Sequence, residues 1–431
     1  MKKVISTISF VLLCFAVSFS QTAHPALSMA TTPEAGGFST KRLARIDTVL
    51  KEYVDQGRMN GAVAMIVHDG KIVYYKNFGY NDLDTKTPLQ KDAIFRIASQ
   101  TKAITSVAIM MLYEEGKFML DDPISNFIPE FKKPKVLDKY NKEDTTYTTV
   151  PAKREITIRD LLTHTSGLGY AQIGSTEAKN IYYKAGIVGG IGIPEFVLAD
   201  KMKILGKLPL FHQPGEKFTY GLNTDVLGYL VEVVSGMSLK DFLHKRIFEP
   251  LGMKDTYFYL PAAKQKRLAI LYTEDSSTKK AVKMAEKLSL YGNMYRDYPN
   301  MNGTYFSGGA GLSSTIYDYA IFLQMLLNGG EYKGKRLLSH NSVRMMTMNQ
   351  IGDINRGPNK FGLGFGLTTE KGSAELPTQV GTFEWGGMFA TTYWVDPKEK
   401  LIGLVYRNIW PTSWGNLGNQ YKVLVYQAMN Y

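Results

Sequence analysis

Ser99-Gln100-Thr101-Lys102 places a hydroxyl three residues before an amine. Residues three apart share a helix face, so the Lys102 amine can reach the Ser99 hydroxyl. A serine is a weak nucleophile until a neighbouring base takes its proton. The same spacing recurs at Ser276 and Ser277, but both lie in the polar stretch Thr273 to Lys280, which reads as a solvated loop. Ser99 instead follows the apolar segment Ala93 to Ala98. Behind it, Ala103, Ile104, Val107, Ala108, Met110 and Met111 suit a largely buried helix that stops at Gly116. This puts Ser99 near a helix N-terminus, where unpaired backbone N–H groups favour developing negative charge. Alone, the motif fits an ordinary serine cap as well.

Two further segments carry chemistry. Tyr220 sits between a Pro214-Gly215 turn and a helix expected to start near Asn223 or Thr224, so its phenol can project from a loop. Glu384-Trp385-Gly386-Gly387-Met388 lies within Thr382 to Val395, which reads as one strand, the penultimate of the chain. Paired glycines inside a strand mark a bulge or the close approach of a ligand or backbone.

Taken in this order, the three segments resemble the β-lactamase-like serine hydrolases of the class C type. The likeness runs from about Lys41 to the end. It includes the connecting segments Phe95 to Ser99, Ile158 to Leu168, Asp225 to Gly228, Pro250 to Met253 and Gly309 to Ser314. The resemblance implies that Ser99 is acylated, that Lys102 shares its proton, and that Tyr220 is the base or its partner and later protonates the leaving group. Lowered pKa values at Lys102 and Tyr220 would suit those roles. The backbone N–H groups of Ser99 and Met388 would form the oxyanion hole.

Two departures from the family pattern bear on substrate. Its Tyr-x-Asn motif would put asparagine where Leu222 stands, and the adjacent Asn223 would point elsewhere. Its third motif is usually Lys-Thr-Gly or His-x-Gly, and here Trp385-Gly386-Gly387 replaces it, as in the carboxylesterases of the family. The cation that grips a substrate carboxylate is therefore missing, unless a loop residue such as Arg407 or Lys360 restores it. Trp385 offers an apolar wall, and Tyr170, Tyr305 and Phe306 are candidates to line the same pocket or simply to pack. His164 reads as a hydrogen-bonding residue that fixes its loop.

The elements that position these groups are legible in outline. Leu43, Ile46, Leu50 and Val54 recur at helical spacing. Ala62 to Val67 and Lys71 to Tyr75 read as strands around the turn His68-Asp69-Gly70. Leu401 to Tyr406 reads as another strand and Leu417 to Met429 as a final helix. The expected fold is α+β, β-lactamase-like: a central antiparallel sheet flanked by N- and C-terminal helices, with an inserted helix-rich region. That region includes helices at Asp225 to Ser235 and Tyr317 to Leu327, with long polar loops at 132–155 and 273–303.

Composition bounds the rest. The chain has 431 residues, 44% of them hydrophobic, and a formal net charge of +12. Lys2 and Lys3 precede an apolar run from Val4 to Phe19, and Ser18-Phe19-Ser20 supplies small residues at the positions a signal peptidase reads. The expectation is a bacterial signal peptide over 1–20, cleaved before Gln21, a linker over 21–38, a hydrolase domain over 39–431, and a periplasmic or secreted destination. Cys14 is the single cysteine, so the mature chain would have no disulfide. No metal and no cofactor are expected: the six histidines show no ligand spacing, and no phosphate loop is present. The basic residues are scattered, which with the export signal argues against nucleic acid. No later run suits a membrane span. The expected partner is a small ester or amide substrate, and the sequence leaves the oligomeric state open. The sequence reads as an exported serine hydrolase that cleaves esters. A D-amino-acid peptidase or weak β-lactamase is the alternative enzyme, and a non-catalytic envelope binding protein the alternative of another kind.

Overall fold

The computed structural model describes residues 24–171, 173–288 and 294–430. The expected signal peptide and its cleavage point before Gln21 lie outside the described residues. The central sheet contains β1 (Ser28–Met29), β2 (Gly61–His68), β3 (Lys71–Asp82), β4 (Lys360–Phe361), β5 (Gly366–Leu367), β6 (Phe383–Gly387), β7 (Thr391–Asp396) and β8 (Leu401–Tyr406). Their spatial order is β1-β3-β2-β8-β7-β6-β5-β4. All these neighbours pair antiparallel except β1, which runs parallel to β3. The helices that matter for the site and core are α1 (Thr40–Asp55), α2 (Thr101–Glu114), α3 (Asn223–Ser235), α4 (Ile316–Leu327) and α5 (Leu417–Tyr426).

Alternation along β2 shows why the sheet is covered on both sides. Successive strand residues point to opposite faces. Ala62, Ala64 and Ile66 join the cluster made with Leu43, Ile46 and Leu50 of α1 and Leu417, Tyr421 and Val425 of α5. Val63, Met65 and Val67 join the larger cluster made with α2, α3 and α4. The chain ends thus cover one face, and the long middle of the chain covers the other. Among the described residues, no helix is long and apolar enough to cross a membrane.

The structure differs from the sequence reading in three places. Thr382 to Val395 is a hairpin, β6 and β7, rather than one strand. The chain reverses at Met388-Phe389-Ala390, where Ala390 takes a positive φ of 64° and donates its N–H to the Gly387 carbonyl. The apolar run hid this turn because it lacks the usual polar turn residues. Glu384 to Gly387 therefore belongs to the third strand from the end. Part of the expected linker is also ordered: Ser28–Met29 pairs with Lys71 and Ile72, and a 3-10 turn follows at Glu34–Gly36. The polar loops at 132–155 and 273–303 carry small hairpins of their own, at Lys135–Tyr140 with Tyr147–Pro151 and at Tyr272–Glu274 with Ala281–Lys283.

Candidate active site

Ser99 stands on a short 3-10 turn, Ala98–Gln100, that runs directly into α2. The turn is held from several sides. Phe95–Arg96 pairs with Ser313–Ser314, and the Ile97 N–H donates to Leu312. Arg96 is fully buried and donates to the carbonyls of Ala269 and Arg296. The Tyr319 hydroxyl donates to the Gln100 carbonyl at 2.9 Å, and the Tyr406 hydroxyl donates to the Gln100 amide oxygen at 2.5 Å. Ala98 takes a positive φ of 43°, a region that L-residues rarely occupy. Such local strain persists only where the surroundings over-determine it. Ser99 is partly exposed while Ile97, Ala98 and Gln100 are buried, so the turn presents this one side chain outward.

Lys102 lies one turn on and is 2% exposed. Its ammonium donates to the Tyr170 hydroxyl at 3.0 Å and to the Gly309 carbonyl at 2.8 Å, and it sits 4.6 Å from the centre of the Tyr220 ring. Burial opposes its charge, but Tyr170, Tyr220 and Asp225 outweigh burial and raise its pKa above the ordinary lysine value. The expectation that Lys102 is tuned downward is corrected here, because the sequence did not reveal these three partners. Tyr170 is pushed up by burial against the opposing pull of Lys102 and stays a neutral phenol.

Tyr220 is brought in by loop contacts. Gly221 rests on the Leu168-Gly169 backbone, where a Cβ would come within 2.2 Å of the Leu168 carbonyl oxygen, and the Leu222 N–H donates to Gly169. The Tyr220 ring lies 5.7 Å from Tyr170, 5.5 Å from Trp385 and 4.7 Å from His164. The Trp385 indole N–H donates to the Tyr220 hydroxyl at 3.4 Å. Leu222 is buried in the core. Asn223 points away from Ser99, accepting from Ser166 and donating to His164 Nδ1 at 2.9 Å. That bond makes His164 Nδ1 an acceptor. Burial, with Lys102 and Arg356 nearby, holds the His164 pKa well below its ordinary value. His164 is thus a neutral, loop-fixing imidazole.

The paired glycines let β6 approach the turn that carries Ser99. A Cβ on Gly387 would lie 2.3 Å from the Ile97 carbonyl oxygen, so this position excludes any larger residue unless the backbone moves. Met388 follows, and with Ser99 and Tyr220 it borders two spaces. One is an apolar cavity of about 260 Å³ lined also by Tyr170, Ile173, Gly189, Ile191, Met294, Ala310 and Trp410. The other is a polar cleft of about 460 Å³ that includes Arg356, Glu384, Trp385, Gly386, Gly387 and Lys422.

Every catalytic residue expected from the sequence is therefore brought together, with Trp385, Gly386, Gly387, Met388 and Tyr170 around them. Tyr305 and Phe306 are not: Tyr305 is buried in the core, and Phe306 borders a separate surface groove with Lys240 and Tyr257. Arg407 and Lys360 do not supply the missing cation. Arg407 is 2% exposed and donates to the Trp414 carbonyl, and Lys360 donates to the Ile354 carbonyl. Arg356 and Lys422 stand in the cleft instead. The sequence reading also gave no role to Asp225 or Gly309. A charged residue at the start of the otherwise apolar run Val226 to Val231 was the available signal for Asp225. Among the described residues, no group of three or more His, Cys, Asp or Glu side chains is placed to hold a metal.

The Beta-lactamase family model matches residues 46–427. Esterase EstB of Burkholderia gladioli is 30% identical over 377 residues, covering 85% of this chain and 90% of that protein. A putative D-alanyl-D-alanine carboxypeptidase of Escherichia coli is 28% identical over 418 residues, covering 92% of this chain and 89% of that protein. Among solved structures, EstCE1, described as a hydrolase with promiscuous acyltransferase activity, superposes with a TM-score of 0.77 at 26% identity. It covers 90% of this chain and 99% of that one.

Asp225 gives this site a pH signature. It is fully buried, accepts from Ser307 at 2.5 Å, and its second oxygen has no hydrogen-bond partner among the described residues. Burial raises its own pKa, while Lys102 and Ser307 favour its charged form. Replacing it with Asn removes a negative neighbour of Lys102, which disfavours the ammonium. The alkaline limb of the kcat/KM profile, which reports Lys102, is expected to move to lower pH in Asp225→Asn. An unchanged profile in a folded variant would show that Asp225 does not set the charge of Lys102.

Proposed function

The chain belongs to the beta-lactamase family and is a serine hydrolase of that fold; on this premise we propose that it is an exported carboxylesterase working through an acyl-enzyme on Ser99. The observation that carries the reading is the polar centre itself: Ser99 opens onto a cavity while Lys102 and Tyr220 stand beside it. The Ser99 hydroxyl gives its proton to the Tyr220 oxygen, acting as a phenolate beside the Lys102 ammonium, as the serine oxygen attacks the ester carbonyl. The tetrahedral oxygen is held by the backbone N–H groups of Ser99 and Met388. When the intermediate collapses, the C–O bond to the alcohol breaks and Tyr220 returns the proton to the departing oxygen. Water then takes the alcohol's place, loses its proton to the Tyr220 oxygen and attacks the acyl carbon; the bond to the Ser99 oxygen breaks, Tyr220 returns the proton to Ser99, and the acid leaves. An intact set of these groups argues against a binding module that only keeps the fold.

Ester rather than amide substrates are supported by three features. Trp385 replaces the cation of the third motif with an aromatic wall. Leu222, buried in the core, leaves no side-chain amide at the position where the family holds an acyl-amide. The apolar cavity, with Ile191, Met294 and Met388 on its walls, suits a short to medium hydrocarbon acyl chain. The kinship to EstB and EstCE1 points the same way, whereas the Escherichia coli relative keeps D-alanyl peptides in the comparison. Export rests on the N-terminal pattern of Lys2, Lys3 and the run Val4 to Phe19.

The test is kcat/KM for p-nitrophenyl butyrate, a D-alanyl peptide and nitrocefin on one preparation. The ester is expected to exceed both others, with β-lactam turnover slow or absent. A peptide or nitrocefin rate above that of the ester contradicts the assignment. For export, N-terminal sequencing of the protein recovered outside the cytoplasm is expected to start at Gln21, and an intact Met1 start would contradict it.

A further inference from the structure

The cleft beside Ser99 contains a cation that forms no ion pair with any carboxylate among the described residues, although Glu384 lies near enough to favour its charge. Arg356 lies on the loop ahead of β4. Its guanidinium carbon sits 5.3 Å from the ring centres of Phe218, Phe361 and Trp385, so three aromatic faces hold it in place. One of its amino groups donates to the Lys360 carbonyl at 3.2 Å. The bare Gly366 leaves room for the other, Nη2, which would sit 3.2 Å from a Cβ there. Among the described residues, no Asp or Glu forms an ion pair with Arg356. The acidic group of the cleft, Glu384, is paired with Lys422 instead. The cleft therefore carries two cations and one carboxylate, and of the two cations Arg356 is the one without an ion pair. A half-buried guanidinium without an anion is costly, and a planar fork is the geometry that grips carboxylates.

We propose that Arg356 binds a carboxylate carried by the alcohol part of the substrate, so that the enzyme takes esters of hydroxy acids with an apolar acyl group. This inference rests on the esterase reading and adds the substrate class. The placement follows from the two spaces that meet at Ser99. An anionic group cannot enter the apolar cavity without leaving its charge unpaired, so the hydrocarbon acyl chain goes there. The departing oxygen must face Tyr220, whose hydroxyl is tied to Trp385 on the wall of the cleft. A carboxylate on that alcohol then extends past Trp385 toward Arg356. Lys422 is less suited to the role, because Glu384 already occupies it.

Phenyl butyrate and 4-(butanoyloxy)benzoate share one acyl group and differ only in a carboxylate on the leaving group. Their kcat/KM values are to be compared at low and high ionic strength, in the wild type and in Arg356→Gln and Arg356→Lys. The wild type is expected to favour the anionic ester about tenfold at low salt, mainly through KM, with the preference shrinking as salt rises. Arg356→Gln is expected to lower the anionic-to-neutral ratio by about that factor, and Arg356→Lys to keep part of it. Equal values for the two esters in the wild type, or a preference that survives in Arg356→Gln, overturns the assignment. The wild-type comparison decides the matter even if a variant fails to fold. Turnover of both esters without preference leaves the esterase reading standing and removes only Arg356. Turnover of neither removes both.

Discussion

The structure is organised around one buried charge. Lys102 is an ammonium group almost wholly withdrawn from water, and an unpaired charge in that position would be strongly destabilising. Its partners come from segments far apart in the chain: Tyr170 from the loop after Thr163-His164, Gly309 from the glycine run before α4, and Asp225 from the first turn of α3. Satisfying Lys102 therefore requires the helix-rich middle of the chain to close on α2. Gly309 shows how tight this closure is, since a Cβ there would come within 2.4 Å of an Asp225 oxygen. The same contacts fix the Tyr170 and Tyr220 rings around the amine. What solvates the charge is also what builds the catalytic environment.

Ser99, the proposed nucleophile, is positioned by a second closure, of sheet against helix. β6 reaches Ile97 only because Gly387 has no side chain, and the strained Ala98 turn then offers Ser99 between β6 and α2. This arrangement divides the space around Ser99. Hydrocarbon side chains line one part, and the charged side chains Arg356, Glu384 and Lys422 the other. On the proposed reading, a substrate that spans Ser99 would be sorted by polarity before any bond changes.

Much of this was legible in the residues, and the limits were physical. Ser99, Lys102 and Tyr220 stood in recognisable local settings: a helix start, the next turn of that helix, and a loop ahead of another. The strands β2, β3 and β8 announced themselves through β-branched and aromatic runs around polar turns. The β6–β7 hairpin did not, because Met388-Phe389-Ala390 turns without glycine, proline or a polar residue. Its conformation is imposed by the sheet around it. The raised pKa of Lys102 depends on Tyr170, Tyr220 and Asp225, residues far along the chain that no local pattern carries. Arg356 was hidden for the same reason. Its loop brings it beside Trp385 through three-dimensional packing, whereas Lys360, four residues on, turns to a backbone carbonyl.

The central claim is that this architecture exists to acylate one serine. The most direct measurement is intact-mass analysis after incubation with a fluorophosphonate, followed by peptide mapping. The account predicts a single adduct per chain on the peptide that contains Ser99, and none in Ser99→Ala. Labelling at Ser276 or Ser277, or ester turnover retained by a folded Ser99→Ala variant, would contradict it.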